Sequence, residues 1–373
     1  MIHIVHVLHS LGVGGTENGV VNLINALGGE FRHTIVSMTT RGVLADRLGG
    51  AVDVHPLGKR PGLDLGATVR LTRVLRRLRP DIVHSRNWGA LDAVPAARLA
   101  RVPVLIHGEH GWEASDPRGT SRRRNRLRRL FSPLVWRFTT VSRDLERWLT
   151  TAVGIPPAKI VTIVNGVDAG RFADASRSEA RRMLGIPDDR VVIGTVGRLN
   201  PVKDQGTLLE AFARLEGGPG DLALVLIGDG PSANHLRERA ARPDLAGRVH
   251  FAGRRDDVAR LLRGLDVFTL PSLNEGISNT ILEAMASGLP VVATRVGGNG
   301  ELVEEAVTGS LVPVGDPAAL AQALAAYVGD PHLRALHGKA GRQRAVEVFG
   351  LDRMVEGYRR LYVEAAAGRP RRC

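Results

Sequence analysis

A chain of 373 residues exceeds what one hydrophobic core usually serves, and 43% hydrophobic with 24% charged residues is ordinary for globular protein, so two domains are expected. No run approaches the ~18 apolar residues of a spanning helix, the single cysteine, Cys373, rules out an intrachain disulfide or a cysteine metal cluster, and no basic leader precedes an apolar stretch, so a protein of the reducing cytoplasm is expected. The formal charge of +13 is uneven: residues 1–169 carry +11 and the rest +2, so the first half should face something anionic.

In chain order, strand "IHIVHVL" opens an alternation: a helix over "ENGVVNLINAL", strands "HTIVSM" and "VDVHPL", a helix over "GATVRLTRVLRRLR", strand "DIVHS", a helix over "ALDAVPAARLA" and strand "VPVLIHG". Strands alternating with helices predict parallel βαβ units. After the first strand, "SLGVGGTENG" departs from the dinucleotide fingerprint because Glu17 stands where the third glycine belongs, so an NAD-type cofactor is not expected. The stretch reads equally as a glycine-rich turn or as a ligand loop, in which Gly14 and Gly15 leave backbone amides open at a helix start.

Past the strand "VPVLIHG", His107 and His110 flank Gly108 and Glu109. Their spacing lacks the helical i, i+4 arrangement and further ligands, so no metal site is expected. A histidine here is either structural or faces a ligand, and His110, farther past the strand end, is the better placed. Residues 117–138 contain eight arginines and no acid, with Leu127, Leu130, Phe131, Leu134 and Val135 at helical spacing and Trp136 beyond them. Three readings stand: a helix resting on an anionic membrane, a nucleic-acid patch, or a solvated helix. The scarcity of aromatics and the lack of a recognition motif weigh against nucleic acid.

"KIVTIVNGVDAGRF" leads to "RSEARRMLGI", and the alternation restarts: "VVIGTVG", helix "QGTLLEAFARL", "LALVLIGDG", helix "ANHLRERAA", "VHFAG", helix "DVARLLRGL", "VFTLPS", helix "SNTILEAMAS" and "PVVAT". This predicts a second Rossmann-like domain. "LDRMVEGYRRLYVEAAAG" reads as a helix able to return to the first domain, and "GRPRRC" as a loose tail.

Ligands of open parallel sheets bind outside the carboxyl ends of the strands, so the loops after strands are the candidates. In "GTVGRLNPVKD", Arg198 and Lys203 flank the stiffening Pro201; they suit a departing diphosphate, or remain two solvated surface charges. In "LPSLNEGISNTILEAMASGLP", Glu275 and Gly276 form a loop, Ser278 or Asn279 caps a helix, and Gly288 with Pro290 ends it. The amides of Ile277, Ser278 and Asn279, backed by the helix dipole, would form an anion site. Glu283 lies among Ile281, Leu282, Ala284 and Met285, where a buried carboxylate needs donors. A vicinal diol such as a ribose would supply them; so would an arginine or backbone amides. Glu275 reaches farther, toward a sugar on that nucleotide, or is likewise structural.

In their order and spacing, "GGTE", "VSRDL", "NGVD", "GRLNPVK", "GDGP" and the Glu275/Glu283 pair resemble glycosyltransferase family 4, the retaining nucleotide-sugar-dependent enzymes of the GT-B fold, over nearly the whole chain. More narrowly, "VVNLINAL", "RNWGALDA", "IHGEHGW" and "EGISNTILEAMASGLPVVAT" resemble sugar transferases of exosortase-linked exopolysaccharide systems.

The resemblance implies an α/β architecture of two Rossmann-like domains whose parallel sheets face a central cleft. Residues 1–168, with a returning helix at about 350–367, would bind the acceptor, and 169–349 the nucleotide-sugar. It implies Arg198 and Lys203 on the donor diphosphate, Gly276, Ile277, Ser278 and Asn279 as the amide site, and Glu283 on the ribose. Glu275 would hold the transferred sugar, His110 would sit between sugar and acceptor, and Gly14, Gly15, Thr16 and Glu17 would lie against acceptor and phosphates.

Transfer would proceed by attack of an acceptor hydroxyl from the face of the departing diphosphate, with neither metal nor other cofactor; Asp256 and Asp257 read as polar surface. The implied partners are a nucleotide-sugar and a glycan or lipid-linked acceptor, with no nucleic acid; on the membrane reading of 117–138, one of the three above, the protein would also rest on an anionic membrane at its cytoplasmic face. The rivals are a sugar-nucleotide epimerase of the same fold and a non-catalytic membrane-surface binding protein.

Overall fold

The computed structural model describes residues 1–368 other than 51, 63, 114, 173–175 and 217–220; from residue 369 on, the expected tail lies outside the described residues. Two compact units result, Met1–Asn165 together with the chain from Asp352 on, and Gly166–Leu351.

In the first unit, strands β1 (Ile2–Leu8), β2 (Phe31–Ser37), β3 (Asp53–Pro56), β4 (Ile82–Arg86), β5 (Val104–Glu109), β6 (Arg137–Thr140) and β7 (Ile160–Thr162) form one parallel sheet in the order β3-β2-β1-β4-β5-β6-β7. Every residue of β4 and β5 is buried, as expected of parallel strands covered on both faces. Helices α1 (Gly15–Leu27), α2 (Leu65–Leu78), α3 (Ala93–Leu99), α4 (Arg122–Phe131) and α5 (Arg143–Trp148) supply the covering layers. The fourfold and threefold spacing of Val20, Val21, Leu23, Ile24 and Leu27 turns one face of α1 inward, and Ala67, Leu71 and Leu75 do the same for α2.

The stretch 117–138, read above as one amphipathic helix, is more varied. Only ten residues are α-helical, a short turn follows, and its last residues enter β6. Leu127, Phe131 and Val135 pack with Val94, Leu105 and Phe138 in the unit's own core. The apolar seam is therefore mostly internal, and Leu130 and Leu134 are the members left exposed.

In the second unit, β8 (Val191–Val196), β9 (Leu222–Ile227), β10 (Val249–Gly253), β11 (Val267–Leu270), β12 (Val291–Thr294) and β13 (Gly309–Val312) pair in the order β10-β9-β8-β11-β12-β13, all parallel. This is the doubly wound order in which the chain reverses direction beside its first strand. Helices α6 (Arg177–Leu184), α7 (Gln205–Ala213), α8 (Ala233–Ala240), α9 (Val258–Leu262), α10 (Asn279–Ala286), α11 (Asn299–Leu302), α12 (Pro317–Gly329) and α13 (Pro331–Glu347) accompany it. Sequence periodicity assigned nothing between 295 and 349. Residues in α12 and α13 segregate weakly into faces, so the helical period is faint there, although aspartates 316 and 330 cap both helices.

The last helix, α14 (Leu351–Ala367), belongs with the first sheet. It buries Met354, Val355, Tyr358, Leu361, Tyr362 and Ala365, and the Tyr362 hydroxyl bonds His84 Nδ1 at 2.9 Å. Arg359 clamps Glu30 with two 2.7 Å hydrogen bonds.

Candidate active site

In the second unit, the loops after β8, β9, β11 and β12 are tied together by backbone. Leu199 N–H donates to Asp229 O at 3.0 Å, Leu273 N–H to Val202 O at 2.8 Å, and Gly298 N–H to Gly276 O at 3.0 Å. Gly228 and Gly297 accept only glycine: a Cβ at Gly228 (φ +142°) would lie 1.9 Å from Gly197 O, and one at Gly297 (φ +49°) 1.8 Å from Glu275 O. These close approaches put Arg198, Lys203, Glu275 and the start of α10 on one platform at the carboxyl edge of the sheet.

Lys203 ends a single helical turn, Pro201–Lys203, capped by the Asn200 side chain, whose Oδ1 accepts from Lys203 N–H at 3.1 Å. Its ammonium pairs with the Glu275 carboxylate, whose Oε1 also accepts from Ser272 Oγ at 2.6 Å. Asp204 is the acid next to this cation in sequence. Asp204 instead caps α7 through Thr207, and the true partner lies 72 residues away. Arg198 is exposed.

Ser278, rather than Asn279, caps α10, accepting from Ile281 N–H at 3.3 Å. Gly288 in the left-handed region (φ +77°) follows the last turn. Glu283 departs from expectation: α10 buries Ile281, Leu282, Ala284, Met285 and Ala286, but Glu283 is only half-buried. It is three and four residues from Thr280 and Asn279, which are also half-buried, so the three share the helix's open face. Its carboxylate therefore avoids the desolvation cost that its neighbours suggested.

In the first unit, Gly14 is the N-cap of α1, and the Glu17 carboxylate folds back over it, with Oε2 2.2 Å from where a Cβ of residue 14 would be. The helix start expected to be open thus carries its own anion, the position a capping-box acid takes. Gly15 is exposed and Thr16 half-buried.

The two histidines separate cleanly. His107 is fully buried, its Nδ1 sharing a hydrogen with Ser85 Oγ at 2.8 Å and its Nε2 3.4 Å from Glu109 Oε1. His110 is half-buried, its N–H held by Asn87 Oδ1 at 2.7 Å, its Nε2 shielded without a partner. Burial and the nearby Arg86 guanidinium pull its pKa down to about 3, so its ring is neutral at pH 7.

His110 lines a small cavity of about 10 Å³, room for about one water, with Thr16, Arg86, Asn165 and Tyr358. Sequence reasoning gave no role to Arg86, Asn87, Asn165 or Tyr358. Arg86 closes β4, so the rule of inspecting strand carboxyl ends would have found it; nothing local marks Tyr358, which arrives from α14. Among the described residues no group of three or more His, Cys, Asp or Glu is placed to hold a metal, and Asp257 is engaged by Arg255 at 2.6 Å.

Residues 13–171 match the family described as Glycosyltransferase Family 4, and residues 190–330 that described as Glycosyl transferases group 1. The chain is 30% identical over 310 residues to the Escherichia coli UDP-Gal:alpha-D-GlcNAc-diphosphoundecaprenol alpha-1,3-galactosyltransferase, spanning 81% of this chain and 80% of that one. It is 38% identical over 337 residues to the Actinosynnema mirum D-inositol 3-phosphate glycosyltransferase, spanning 82% and 78%. The chain spans about half the length of four further enzymes of that name. Among solved structures, Anabaena HepE in complex with UDP and glucose superposes with a TM-score of 0.85 at 22% identity over 98% of this chain and 100% of that one, a likeness of fold. The two doubly wound units and these matches lead to one conclusion: the chain belongs to glycosyltransferase family 4 and has the GT-B fold.

Proposed function

We propose that the protein is a retaining hexosyltransferase that moves a sugar from a nucleotide-diphosphate sugar to a hydroxyl of a glycan or lipid-linked acceptor in exopolysaccharide or other cell-envelope synthesis, without a metal or other cofactor. The observation that carries it is the platform of the second unit, where Lys203, Glu275, Arg198 and the capped start of α10 stand on interlocked strand-end loops. Relatives support the substrate class: one is named for UDP-galactose and a diphosphoundecaprenol-linked acceptor, another for lipopolysaccharide core biosynthesis.

In this reading the second unit takes the donor and the first the acceptor. The acceptor oxygen attacks the anomeric carbon as its bond to the diphosphate breaks, and the hydroxyl proton passes to the departing phosphate oxygen on the same face. Arg198, Lys203 and the backbone amides of Gly276, Ile277, Ser278 and Asn279, in the loop leading into α10 and at its start, stabilise the leaving charge. Glu275 orients the sugar, its carboxylate preset by Ser272 and Lys203, and Glu283 receives the ribose hydroxyls from the open face of α10. Neutral His110, Gly14, Gly15, Thr16 and Glu17 border the reacting sugar and acceptor.

The test is turnover of radiolabelled nucleotide-sugars with polyprenyl-linked acceptors, with and without chelator, and the product anomer read by NMR. Lys203→Ala and Arg198→Ala should each lower kcat by ~10²–10³. Inversion at the anomeric carbon, a strict magnesium requirement, or reaction of donor alone, as an epimerase would show, would defeat the proposal.

A further inference from the structure

Asn87, the residue after β4, holds a backbone conformation that side chains avoid. Its φ of 60° and ψ of 171° fall in a region populated essentially by glycine. Two other positive-φ residues are less costly: Arg79 (46°, 53°) and Asp204 (46°, 43°) occupy the ordinary left-handed well beside helices.

The strand register shows what the strain achieves. Arg86 pairs with Gly108, so a continued ladder would set Asn87 opposite Glu109. A residue of a parallel pair bonds the two neighbours of its partner, so Asn87 would give its N–H to Gly108 O and its carbonyl to the His110 N–H. The first bond is made, at 2.7 Å. The second is made by the side chain instead: Asn87 Oδ1 accepts from His110 N–H at 2.7 Å. The main-chain carbonyl turns away and accepts from Ala90 N–H at 3.1 Å, starting the turn Trp88–Ala90. One amide oxygen thus stands in for a carbonyl of the ladder, and the chain after β5 stays anchored as far as His110 although β4 has already turned off.

That anchor fixes the backbone that carries the His110 ring. The ring folds back over Gly108, where a Cβ would lie 2.7 Å from His110 Nε2. Nε2 itself is shielded and has no hydrogen-bond partner among the described residues, so its place is set from the main-chain side. Strained conformations persist where their surroundings over-determine them, and they gather at sites whose geometry matters.

We propose that Asn87 is a positioning residue, whose strained backbone frees its side-chain carbonyl to anchor His110 and thereby sets where the imidazole meets the reacting sugar. This rests on the reading that His110 borders sugar and acceptor.

Three variants of the full chain test it. Asn87→Gly and Asn87→Ala both remove the anchoring oxygen, but only the first also relieves the backbone. Asn87→Asp keeps an acceptor at the same reach. In transfer assays the first two should each lose about tenfold in kcat with the donor KM unchanged, as a misplaced group does. Asn87→Asp should recover most of that loss. Melting temperature should part from activity, with Asn87→Gly several degrees above Asn87→Ala at similar kcat. In protein carrying 13C-labelled histidine, the His110 ring signal should be single in wild type and Asn87→Asp, and shifted or split in Asn87→Gly.

Wild-type kcat in Asn87→Gly, a kcat that follows melting temperature through the series, or an unmoved His110 signal would overturn the proposal. Were the wild-type protein to transfer no sugar, the catalytic reading would fall, while the His110 signal would still decide whether Asn87 anchors the ring.

Discussion

Glu109 and Glu275 both follow from strand ends, yet their surroundings give them different tasks. Glu109 is sealed in by Arg128, which lies between the rings of Trp88 and Trp148 at 5.2 and 5.0 Å, and by His107. Burial alone would raise its pKa, but the Arg128 charge and the His107 hydrogen bond outweigh it and hold the carboxyl at about 2. Glu109→Gln would strand the Arg128 charge, so a loss of about 3–5 kcal/mol is expected in urea unfolding; a loss under 1 kcal/mol would contradict a buried ion pair. Glu275 instead shares its carboxylate with Ser272 and Lys203, an arrangement that orients without sealing. His110, with its pKa near 3, has no proton to lose at neutrality. The kcat profile should therefore be flat between pH 8 and about 5, with no inflection near 6.5, and an ordinary imidazole inflection would remove His110's assigned neutral role.

At the scale of elements, α10 and α4 show what helix ends and faces contribute. The cap of α10 fixes where its first amides point, and its five buried residues leave Asn279, Thr280 and Glu283 to the open side. In α4, Arg128 and Leu127 turn inward, whereas Arg122, Arg123, Arg126, Arg129 and Leu130 remain exposed. That narrower face is what the structure leaves to the membrane reading of this stretch. No helix among the described residues is long and apolar enough to cross a membrane. Co-sedimentation with phosphatidylglycerol vesicles at low salt should fall roughly thirtyfold in Arg126→Ala/Arg129→Ala, at about 1 kcal/mol per arginine. Wild-type protein that ignores such vesicles, or a double variant that binds them equally, would end the membrane reading.

At the scale of the molecule, each unit has its own apolar core, one around Val5, Val83 and Leu105 and another around Ile193, Leu224 and Val292. The first core also houses an unusual density of neutral imidazole. Burial lowers the pKa of His6 and His84 far below the ordinary range, His33 to about 4 and His110 to about 3. Above about pH 6.5 these groups are neutral whether folded or unfolded. Below it the unfolded chain takes up protons that the folded chain refuses, so stability falls as pH drops from about 6.5 toward 4, by about 1.4 kcal/mol per pH unit for each histidine. Melts at pH 7 and pH 5 should show a Tm drop of many degrees; an unchanged Tm would mean that the cluster is hydrated or protonated.

The chain's local grammar was enough for the alternation of strands and helices, for the glycine- and proline-punctuated loops at strand ends, and for the polar residues that those loops expose. These depend on periods of two and 3.6 residues and on backbone permissions that neighbours in sequence establish. Which arginine of 117–138 is buried, why Lys203 answers to Glu275, and that Arg86 meets a tyrosine of the last helix were decided only by tertiary structure. Burial and charge pairing act through space, between residues 19, 72 and 276 positions apart, and no local pattern carries them.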